Sequence, residues 1–166
     1  MFYLDLFREL QKHEVQYVVV GGLAINLHGV ERATMDVDLV LAMDESNLRR
    51  FMAAAQTLQL HPTLPVKLEA LCNAAQLDEW VREKHMIAFC LRPPSKTAPS
   101  IDIIVRPKVS FETMYRNRIE KDIGGIQFKV ASIDDLIALK TGTGRNQDAS
   151  DIVALNKVKQ IFAQGK

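Results

Sequence analysis

The spacing of apolar residues along the chain switches between helical and strand-like periods. Leu4, Phe7 and Leu10 recur at helical spacing and predict a helix over residues 2–13. The β-branched run at 16–22 ends in two glycines, which is typical of a buried strand followed by a tight turn. We therefore expect the chain to begin with a helix that leads directly into a core strand.

The rest of the chain continues this exchange between helices and strands. Asp44-Glu45-Ser46 precedes a helical apolar face and is predicted to cap a helix over 46–59. Gly124-Gly125 separates two alternating runs, which predicts a hairpin over 119–131. The other predicted elements are a short helix at 23–28, a strand at 33–42, a helical stretch in one or two pieces at 67–84, strands at 86–92 and 100–105, a short helix at 110–117, a helix opened by Ser132, and a last helix at about 147–163.

Two segments that contain prolines are predicted to be irregular. Residues 60–66 should form a loop, and residues 92–100 should connect the strands on either side of them as a long hairpin. The order of elements predicts an α/β (α+β) fold with a mixed β-sheet flanked by helices. A pair of C-terminal helices over about 132–163 should pack on that sheet.

Length and composition indicate an ordinary globular domain. The chain has 166 residues, of which 48% are hydrophobic and 25% charged, which predicts one domain over 1–166. The net charge is only +1, so attraction to a nucleic acid or a membrane would need a local patch. The two cysteines lack zinc-binding spacing. Apolar runs are strand-sized and no secretory signal is evident, so we expect a cytoplasmic protein with no membrane partner.

Asp36 and Asp38 stand in an otherwise apolar strand. Residues i and i+2 of a strand point to the same face, so the two carboxylates should share a face with their α-carbons ~7 Å apart. At ~5 Å, two such charges repel by about 3 kcal/mol for an effective dielectric near 20. A strand with a purely structural role has no reason to carry this repulsion, whereas a divalent cation removes it.

Asp102 is a third acid inside an apolar strand. If its strand lies beside that of Asp36 and Asp38, three carboxylates converge into a set that suits Mg²⁺, with Mn²⁺ as an alternative. Such a set also suits two metal ions that drive in-line attack on a phosphate. We expect Asp36 and Asp38 to hold the phosphate-side metal, and Asp102 to help hold the second metal and accept the proton of an incoming hydroxyl.

Gly21 and Gly22 end one strand and open a helix. Residues without side chains let the backbone approach a phosphate, and a helix N-terminus offers free N–H groups. Arg32 and Thr34 lie just before the acidic strand and are candidate phosphate contacts. The glycine patterns of the Walker and Rossmann nucleotide sites are absent from the sequence.

Each of these residues also has a purely structural interpretation. Asp36 could simply flank a strand end, Asp38 could pair with Arg32, and Asp102 could pair with a lysine or an arginine. The glycines could serve only a turn. Arg32 could instead pair with Glu31, and Thr34 could be a turn hydroxyl. The combination of the diglycine with three acids favours the functional interpretation.

These segments together resemble the nucleotidyltransferase superfamily. The stretch VVVGGLAINLHGVERATMDVDLVL is similar to its hG[GS]…Dh[DE]h signature, and Ser-Ile-Asp-Ile-Ile supplies the third acid. The C-terminal stretch ASIDDLIALKTGTGRNQDASDIVAL resembles the small AbiEii/AbiGii-like group, which includes toxins of bacterial toxin–antitoxin pairs. The matching segments are 17–41, 101–105 and 131–155.

The resemblance implies roles for three further residues. Lys140 would contact the phosphates of the nucleotide, Asp148 would be another active-site acid, and Arg145 would position one of these groups. The alternatives are a solvated helix end for Lys140, and N-capping of the last helix for Asp148 and Asp151. Gln147 departs from the group, which often has a basic residue before the acid.

The leading hypothesis is an enzyme that moves a nucleoside monophosphate from an NTP to a hydroxyl acceptor with Mg²⁺. The acceptor could be RNA, a protein or a small molecule, and an antitoxin protein is a candidate partner. Basic residues in 92–108, among them Arg92, Lys96, Arg106 and Lys108, could attract RNA, or they could be a solvated loop. The alternatives are a nucleotide-binding or partner-binding module of the same fold without efficient turnover, and a metal-dependent nuclease.

Overall fold

The computed structural model describes residues 2–165 as an α/β fold built on a mixed sheet. The helices are α1 (Phe2–Lys12), α2 (Gly21–Leu27), α3 (Glu45–Thr57), α4 (Ala74–Lys84), α5 (Phe111–Asn117), α6 (Ile133–Lys140) and α7 (Asn146–Gln164), with a 3₁₀ helix at Leu68–Cys72. The strands are β1 (Tyr17–Val20), β2 (Asp36–Leu41), β3 (His61–Pro62), β4 (Ala88–Arg92), β5 (Ser100–Ile104), β6 (Ile119–Ile123) and β7 (Ile126–Val130).

The strands form one sheet in the order β3-β4-β5-β2-β1-β7-β6. Two neighbouring pairs are parallel, β2 with β5 and β1 with β7, and the other pairs are antiparallel. All four residues of the interior strand β1 are buried. The predicted mixed sheet, the two hairpins and the C-terminal helical pair are therefore confirmed.

Several predicted boundaries differ from the structure. Residues 60–66 were expected to be a loop only, but His61–Pro62 forms the edge strand β3 against β4. Pro62 is tolerated there because a residue in an edge strand does not need its N–H for a second neighbour. The helix expected at 23–28 begins at Gly21, and the strand expected at 33–42 is confined to Asp36–Leu41.

Side-chain N-caps begin two helices where the sequence predicts. Asp44 accepts a hydrogen bond from the backbone N–H of Asn47 and opens α3, and Ser132 accepts one from Asp135 and opens α6. The stretch predicted as helical at 67–84 is indeed in two pieces, because Asn73 caps α4 after the 3₁₀ helix. Within residues 2–165, no helix is long and apolar enough to cross a bilayer.

The buried side chain of Asn47 ties β1 to β2 at the end of the sheet remote from the diglycine. Its amide oxygen accepts a hydrogen bond from Gln16 N at 2.7 Å, and its amide nitrogen donates to Gln16 O and Ala42 O, both at 2.8 Å. The side chain thus replaces three backbone partners at the point where the two strands separate. Their register sets the position of Asp38, so Asn47 also fixes the candidate site.

We expect Asn47→Ala to lower the free energy of unfolding by about 2–4 kcal/mol, because it removes the partners of the Gln16 N–H and of the buried Ala42 carbonyl. Urea denaturation measures this loss. The control is Asn156→Ala on the exposed face of α7, where the side chain bonds only its own helix; its effect should stay within about 0.5 kcal/mol. Equal losses in the two variants would contradict this role for Asn47.

Candidate active site

Two adjacent strands bring Asp38 and Asp102 side by side on one face of the sheet. In the parallel β2–β5 pair, Asp38 is in register with Asp102, and Asp36 is in register with Ser100. Paired residues of neighbouring strands project to the same side, and residues two apart on a strand share a face. Asp36, Asp38 and Asp102 therefore lie on a common face, as the sequence predicted on the condition that their strands were neighbours.

Asp38 and Asp102 are two carboxylates in a largely apolar sheet. Among residues 2–165 neither carboxylate forms an ion pair, and Oδ1 of Asp102 is buried without a hydrogen-bond partner. Burial, together with the charges of Asp102 and Asp36, raises the pKa of Asp38 to about 6, although the charges of Lys140 and Arg32 partly oppose this rise. The structural alternative of an Asp38–Arg32 pair is wrong, because Arg32 pairs with Asp151.

Asp36 is held differently from the other two acids. Its Oδ1 accepts a hydrogen bond from the Ser100 hydroxyl. It does not line the cleft that contains Asp38 and Asp102. Within the described residues, no three acidic, histidine or cysteine side chains are close enough to form a ready-made metal cluster. The sheet therefore aligns the three acids but assembles only two of them at the cleft.

The diglycine turn packs directly on the acidic strand. Gly21 has a φ of +63°, and a Cβ built on it would lie 1.9 Å from Oδ2 of Asp38. A Cβ on Gly22 would lie 2.0 Å from Nη1 of Arg32 and 2.6 Å from Oγ1 of Thr34. The two glycines are thus required by the close approach of neighbouring side chains, and they bring Asp38, Arg32 and Thr34 against the start of α2.

A cleft of about 520 Å³ collects most of the predicted site residues. The predicted residues that line it are Gly21, Gly22, Arg32, Asp38, Asp102, Lys140, Arg145 and Asp148. Asp36 and Thr34 do not line the cleft. The hydroxyl of Thr34 lies beside Gly22 and donates a hydrogen bond to the backbone oxygen of Asp36 at 3.3 Å. Residues from both ends of the chain therefore face one space.

Lys140 lies at the centre of a buried charge network. Its Nζ lies 2.7 Å from Oδ1 of Asp148 and 2.8 Å from Oδ2 of Asp151. Arg145 extends the network through Asp148, and Arg32 extends it through Asp151. We call these five residues the cation network. Lys140 is only 9% exposed, so the alternative of a solvated helix end is wrong.

Asp148 is fixed by three donors rather than by a capping role. Its carboxylate accepts hydrogen bonds from Lys140 at 2.7 Å, Thr143 at 2.6 Å and Arg145 at 2.7 Å. Burial alone would raise its pKa, but the bonds from Lys140, Thr143 and Arg145 outweigh it and bring the pKa to about 2. The structure shows no side-chain cap at the start of α7, so the N-capping alternative for Asp148 is wrong.

Sequence reasoning did not assign three residues that touch the site. Thr143 bonds Asp148, Ser100 bonds Asp36, and Cys90 is in register with Asp102 on β4. The position of Ser100 two residues before Asp102 was a usable signal, since alternate strand residues share a face. Thr143 and Cys90 carry no such signal, because their contacts depend on loop geometry and strand pairing.

Solved structures with the same fold include several nucleotidyltransferases. An antigenic nucleotidyltransferase-like protein from Paracoccidioides brasiliensis is 20% identical, with a TM-score of 0.55 over 90% of this chain and 71% of that chain. The lincosamide antibiotic adenylyltransferase LnuA, solved with lincomycin, is 13% identical, with a TM-score of 0.57 over 95% and 94% of the two chains. ANT(2″)-Ia, solved with adenylyl-2″-tobramycin, is 12% identical, with a TM-score of 0.55 over 98% and 94%.

These identities are low, so the likeness to solved structures concerns the fold. No curated protein matches the sequence significantly. A family model described as "Nucleotidyltransferase of unknown function (DUF6036)" matches residues 3–162. The chain belongs to this family, which agrees with the superfamily resemblance of its glycine and acid motifs.

We expect Gly21→Ala to displace Asp38 as well as strain the backbone. Gly124 is a matched control, because its φ is +64° but a Cβ there meets nothing within 4 Å. Gly124→Ala should cost about 1–2 kcal/mol through backbone strain alone. Gly21→Ala should cost about 1–3 kcal/mol more, because the new methyl overlaps a carboxylate. Thermal and urea unfolding of both variants measure the difference, and equal losses would contradict the contact between Gly21 and Asp38.

We expect Asp38→Asn to stabilise the metal-free protein at neutral and higher pH. The folded-state pKa of Asp38 lies above its ordinary 3.8 at about 6. The protonated form therefore favours folding at low pH, and this contribution is lost as the pH rises through about 6. At pH 8 the gain from the substitution should reach up to about 3 kcal/mol. It should shrink towards pH 5.

Unfolding in the presence of a chelator at pH 5, 6.5 and 8 measures this difference. Asp134→Asn is the control, because Asp134 is an exposed carboxylate that pairs with Lys159. A destabilised Asp38→Asn variant at pH 8 without metal would show that Asp38 has a favourable partner in the folded protein.

Proposed function

We propose that this member of the nucleotidyltransferase family is a magnesium-dependent enzyme that moves a nucleoside monophosphate from an NTP to a hydroxyl acceptor. One observation carries the proposal. The paired carboxylates of Asp38 and Asp102 face the same cleft as Arg32, Lys140 and Arg145. In such a cleft the acids would bind the metal ion, and the cations would bind the phosphates of a metal–nucleotide complex.

The residues present fit a divalent cation. Asp38 and Asp102 offer carboxylate oxygens, one of them buried without a partner, and Mg²⁺ and Mn²⁺ favour oxygen ligands. Asp36 is the proposed third ligand, because it shares their face of the sheet. When bound, the cation would neutralise the repulsion between the acids and stabilise the charge of the phosphates.

The cation network would bind the β- and γ-phosphates. Arg145 and Arg32 reach the cleft, and the buried Lys140 lies between them. Gly21 and Gly22 let Asp38, Arg32 and Thr34 pack against the start of α2 beside the cleft, and Thr34 is a further candidate contact for a phosphate. Asp148 would keep Lys140 and Arg145 in place, a role that suits a carboxylate that stays ionised at any physiological pH.

The chemical step needs a group that accepts the proton of the hydroxyl and groups that stabilise the leaving pyrophosphate. The acceptor hydroxyl oxygen would bond to the α-phosphorus while the bond to the bridging oxygen breaks, and pyrophosphate leaves. Asp102 would take the hydroxyl proton, because its carboxylate lines the cleft beside Asp38. The cation network would hold the pyrophosphate charge, so positioning and electrostatics supply the rate enhancement.

The charge of the cleft favours an anionic acceptor such as RNA. Five basic and three acidic side chains line it, and Arg106 and Lys108 are among the basic ones. Arg106 also pairs with Asp78, and Lys108 donates a hydrogen bond to the backbone oxygen of Thr141. They match the predicted basic segment, whereas Arg92 does not line the cleft. A polycationic acceptor would be repelled there, while an RNA end would be attracted.

A toxin role with an antitoxin partner belongs to the same proposal. It rests on the AbiEii/AbiGii-like pattern of residues 131–155, in which Lys140, Arg145, Asp148 and Asp151 now share the cation network. A partner that blocks the cleft would suppress transfer. Co-expression with the product of a neighbouring small open reading frame would test this role.

A second candidate is a nucleotide-binding module of the same fold that does not turn over. The position of Asp36 favours it, because this carboxylate bonds Ser100 and does not line the cleft. Such a protein would bind a nucleotide and metal but lack a complete ligand set for transfer.

Incubation with each α-labelled NTP, Mg²⁺ and total RNA or protein should transfer label to RNA. Asp38→Ala and Asp102→Asn should each reduce transfer by at least about 100-fold, the magnitude expected when a group that stabilises the transition state is lost. Asp134→Asn should leave transfer unchanged. Replacement of Arg106 and Lys108 by Gln should weaken RNA labelling more than NTP binding.

The other outcomes separate the alternatives. Tight NTP binding without transfer to any acceptor would support the binding module. Transfer to protein or to a small hydroxyl compound would redirect the acceptor assignment. RNA shortening instead of labelling would indicate a nuclease. Undiminished transfer by Asp38→Ala would contradict the proposed site.

A further inference from the structure

From the contacts of the cation network we infer that Asp151 is a positioning residue that sets the two phosphate-binding cations Arg32 and Lys140 relative to each other. This inference rests on the proposed function. Asp151 does not line the cleft, whereas Arg32 and Lys140 do. It would therefore act on a bound nucleotide only through these two side chains.

The geometry joins parts of the chain that are far apart in sequence. Oδ1 of Asp151 lies 3.1 Å from Nε of Arg32, which precedes β2, and Oδ2 lies 2.8 Å from Nζ of Lys140 at the end of α6. The two contacts are ion pairs outside hydrogen-bond alignment. One carboxylate thus separates two positive charges that would otherwise repel, and it holds both at the cleft.

Arg32 has few other restraints on its side chain. Its backbone N–H donates to Oδ1 of Asn26 at 3.0 Å, which fixes the main chain. Nη1 of its guanidinium lies beside Gly22, and among residues 2–165 the pair with Asp151 is the only ion pair of this guanidinium. The ion pair with Asp151 is therefore the contact that determines where the guanidinium points.

Asp151 itself is held firmly. It is 3% exposed, lies in α7 one turn after Asp148, and accepts a hydrogen bond from Nε2 of Gln147 at 3.0 Å. Its place beyond the first turn of α7 gives it little interaction with the helix dipole. A buried ion cluster is also a poor source of stability, because desolvation offsets most of the attraction. Control of the position of the two cations accounts for an acid at this site.

The chain offers a matched control for loss of an ion pair between the same two helices. Asp134 on α6 pairs with Lys159 on α7 at 2.6 Å, outside the cleft. Asp134→Asn removes a carboxylate that links α6 to α7, as Asp151→Asn does, but it leaves Arg32 and Lys140 untouched. Because this pair is exposed and weak, Asp134→Asn controls for the loss of a carboxylate between the two helices. Nucleoside binding controls for a looser helical pair.

The test is equilibrium binding of a non-hydrolysable NTP and of the matching nucleoside. Asp151→Asn should weaken NTP binding on the order of 10- to 100-fold, as seen for residues that orient ligand-binding side chains. Binding of the nucleoside, which carries no phosphate, should change by less than about 2-fold. Asp134→Asn should alter neither.

A double-mutant cycle separates positioning from a merely structural role. If Asp151 acts through Arg32, then Arg32→Gln should weaken NTP binding much less in the Asp151→Asn background than in the wild type. Effects that simply multiply, or an Asp151→Asn variant with wild-type NTP affinity, would overturn the inference. Should Asp151→Asn not fold, Asp151→Glu keeps the charge but displaces both cations, and wild-type affinity in that variant would overturn it equally.

Failure of this inference is distinguishable from failure of the proposed function. If the wild-type protein binds no NTP with Mg²⁺ or Mn²⁺, the proposed function fails. If the wild type binds NTP and Asp151→Asn binds it equally well, only the positioning role fails.

Discussion

The repulsion between two carboxylates that face each other across a parallel strand pair is the constraint on which the rest of the site depends. Asp38 and Asp102 occupy matched positions on β2 and β5, and burial and the neighbouring charges raise the pKa of Asp38 to about 6. A fold selected for stability alone would place apolar residues there. The cost is understandable if the folded protein is completed by a divalent cation and a nucleotide, which bind the folded state and stabilise it by mass action.

Two parts of the structure place groups around this pair of carboxylates. The diglycine turn brings the start of α2 against Asp38, because only a residue without a Cβ fits beside its carboxylate. The C-terminal helices supply the opposite charge through Lys140 and Arg145, and they neutralise it in part through Asp148 and Asp151. The sheet thus supplies the acids Asp38 and Asp102, the C-terminal helical pair supplies cations, and the cleft lies between the sheet and the helices.

Local patterns account for much of what could be predicted. The shared face of Asp36 and Asp38 follows from strand periodicity, and the caps at Asp44 and Ser132 follow from the residues beside the apolar faces. The pairing of Asp102 with Asp38 was predicted only conditionally, because register between strands more than 60 residues apart is a property of the whole sheet. The ion pair between Arg32 and Asp151 also joins distant segments and could not be predicted from local patterns. The local alternatives, a neighbouring acid as the partner of Arg32 and a helix cap as the role of Asp151, were wrong. Asp36 shows another limit: strand periodicity places Ser100 on the face of Asp102, but the bond between Ser100 and Asp36 also depends on the register of β2 with β5.

In the proposed complex, Asp38 and Asp102 together hold the metal that accompanies the nucleotide. A crystal structure with Mn²⁺ and a non-hydrolysable NTP, analysed for anomalous scattering, would locate this metal. We expect an anomalous peak bonded to oxygens of both Asp38 and Asp102, with the terminal phosphates against Arg32, Lys140 and Arg145. Manganese bound elsewhere, or a nucleotide whose phosphates lie away from the cation network, would contradict it.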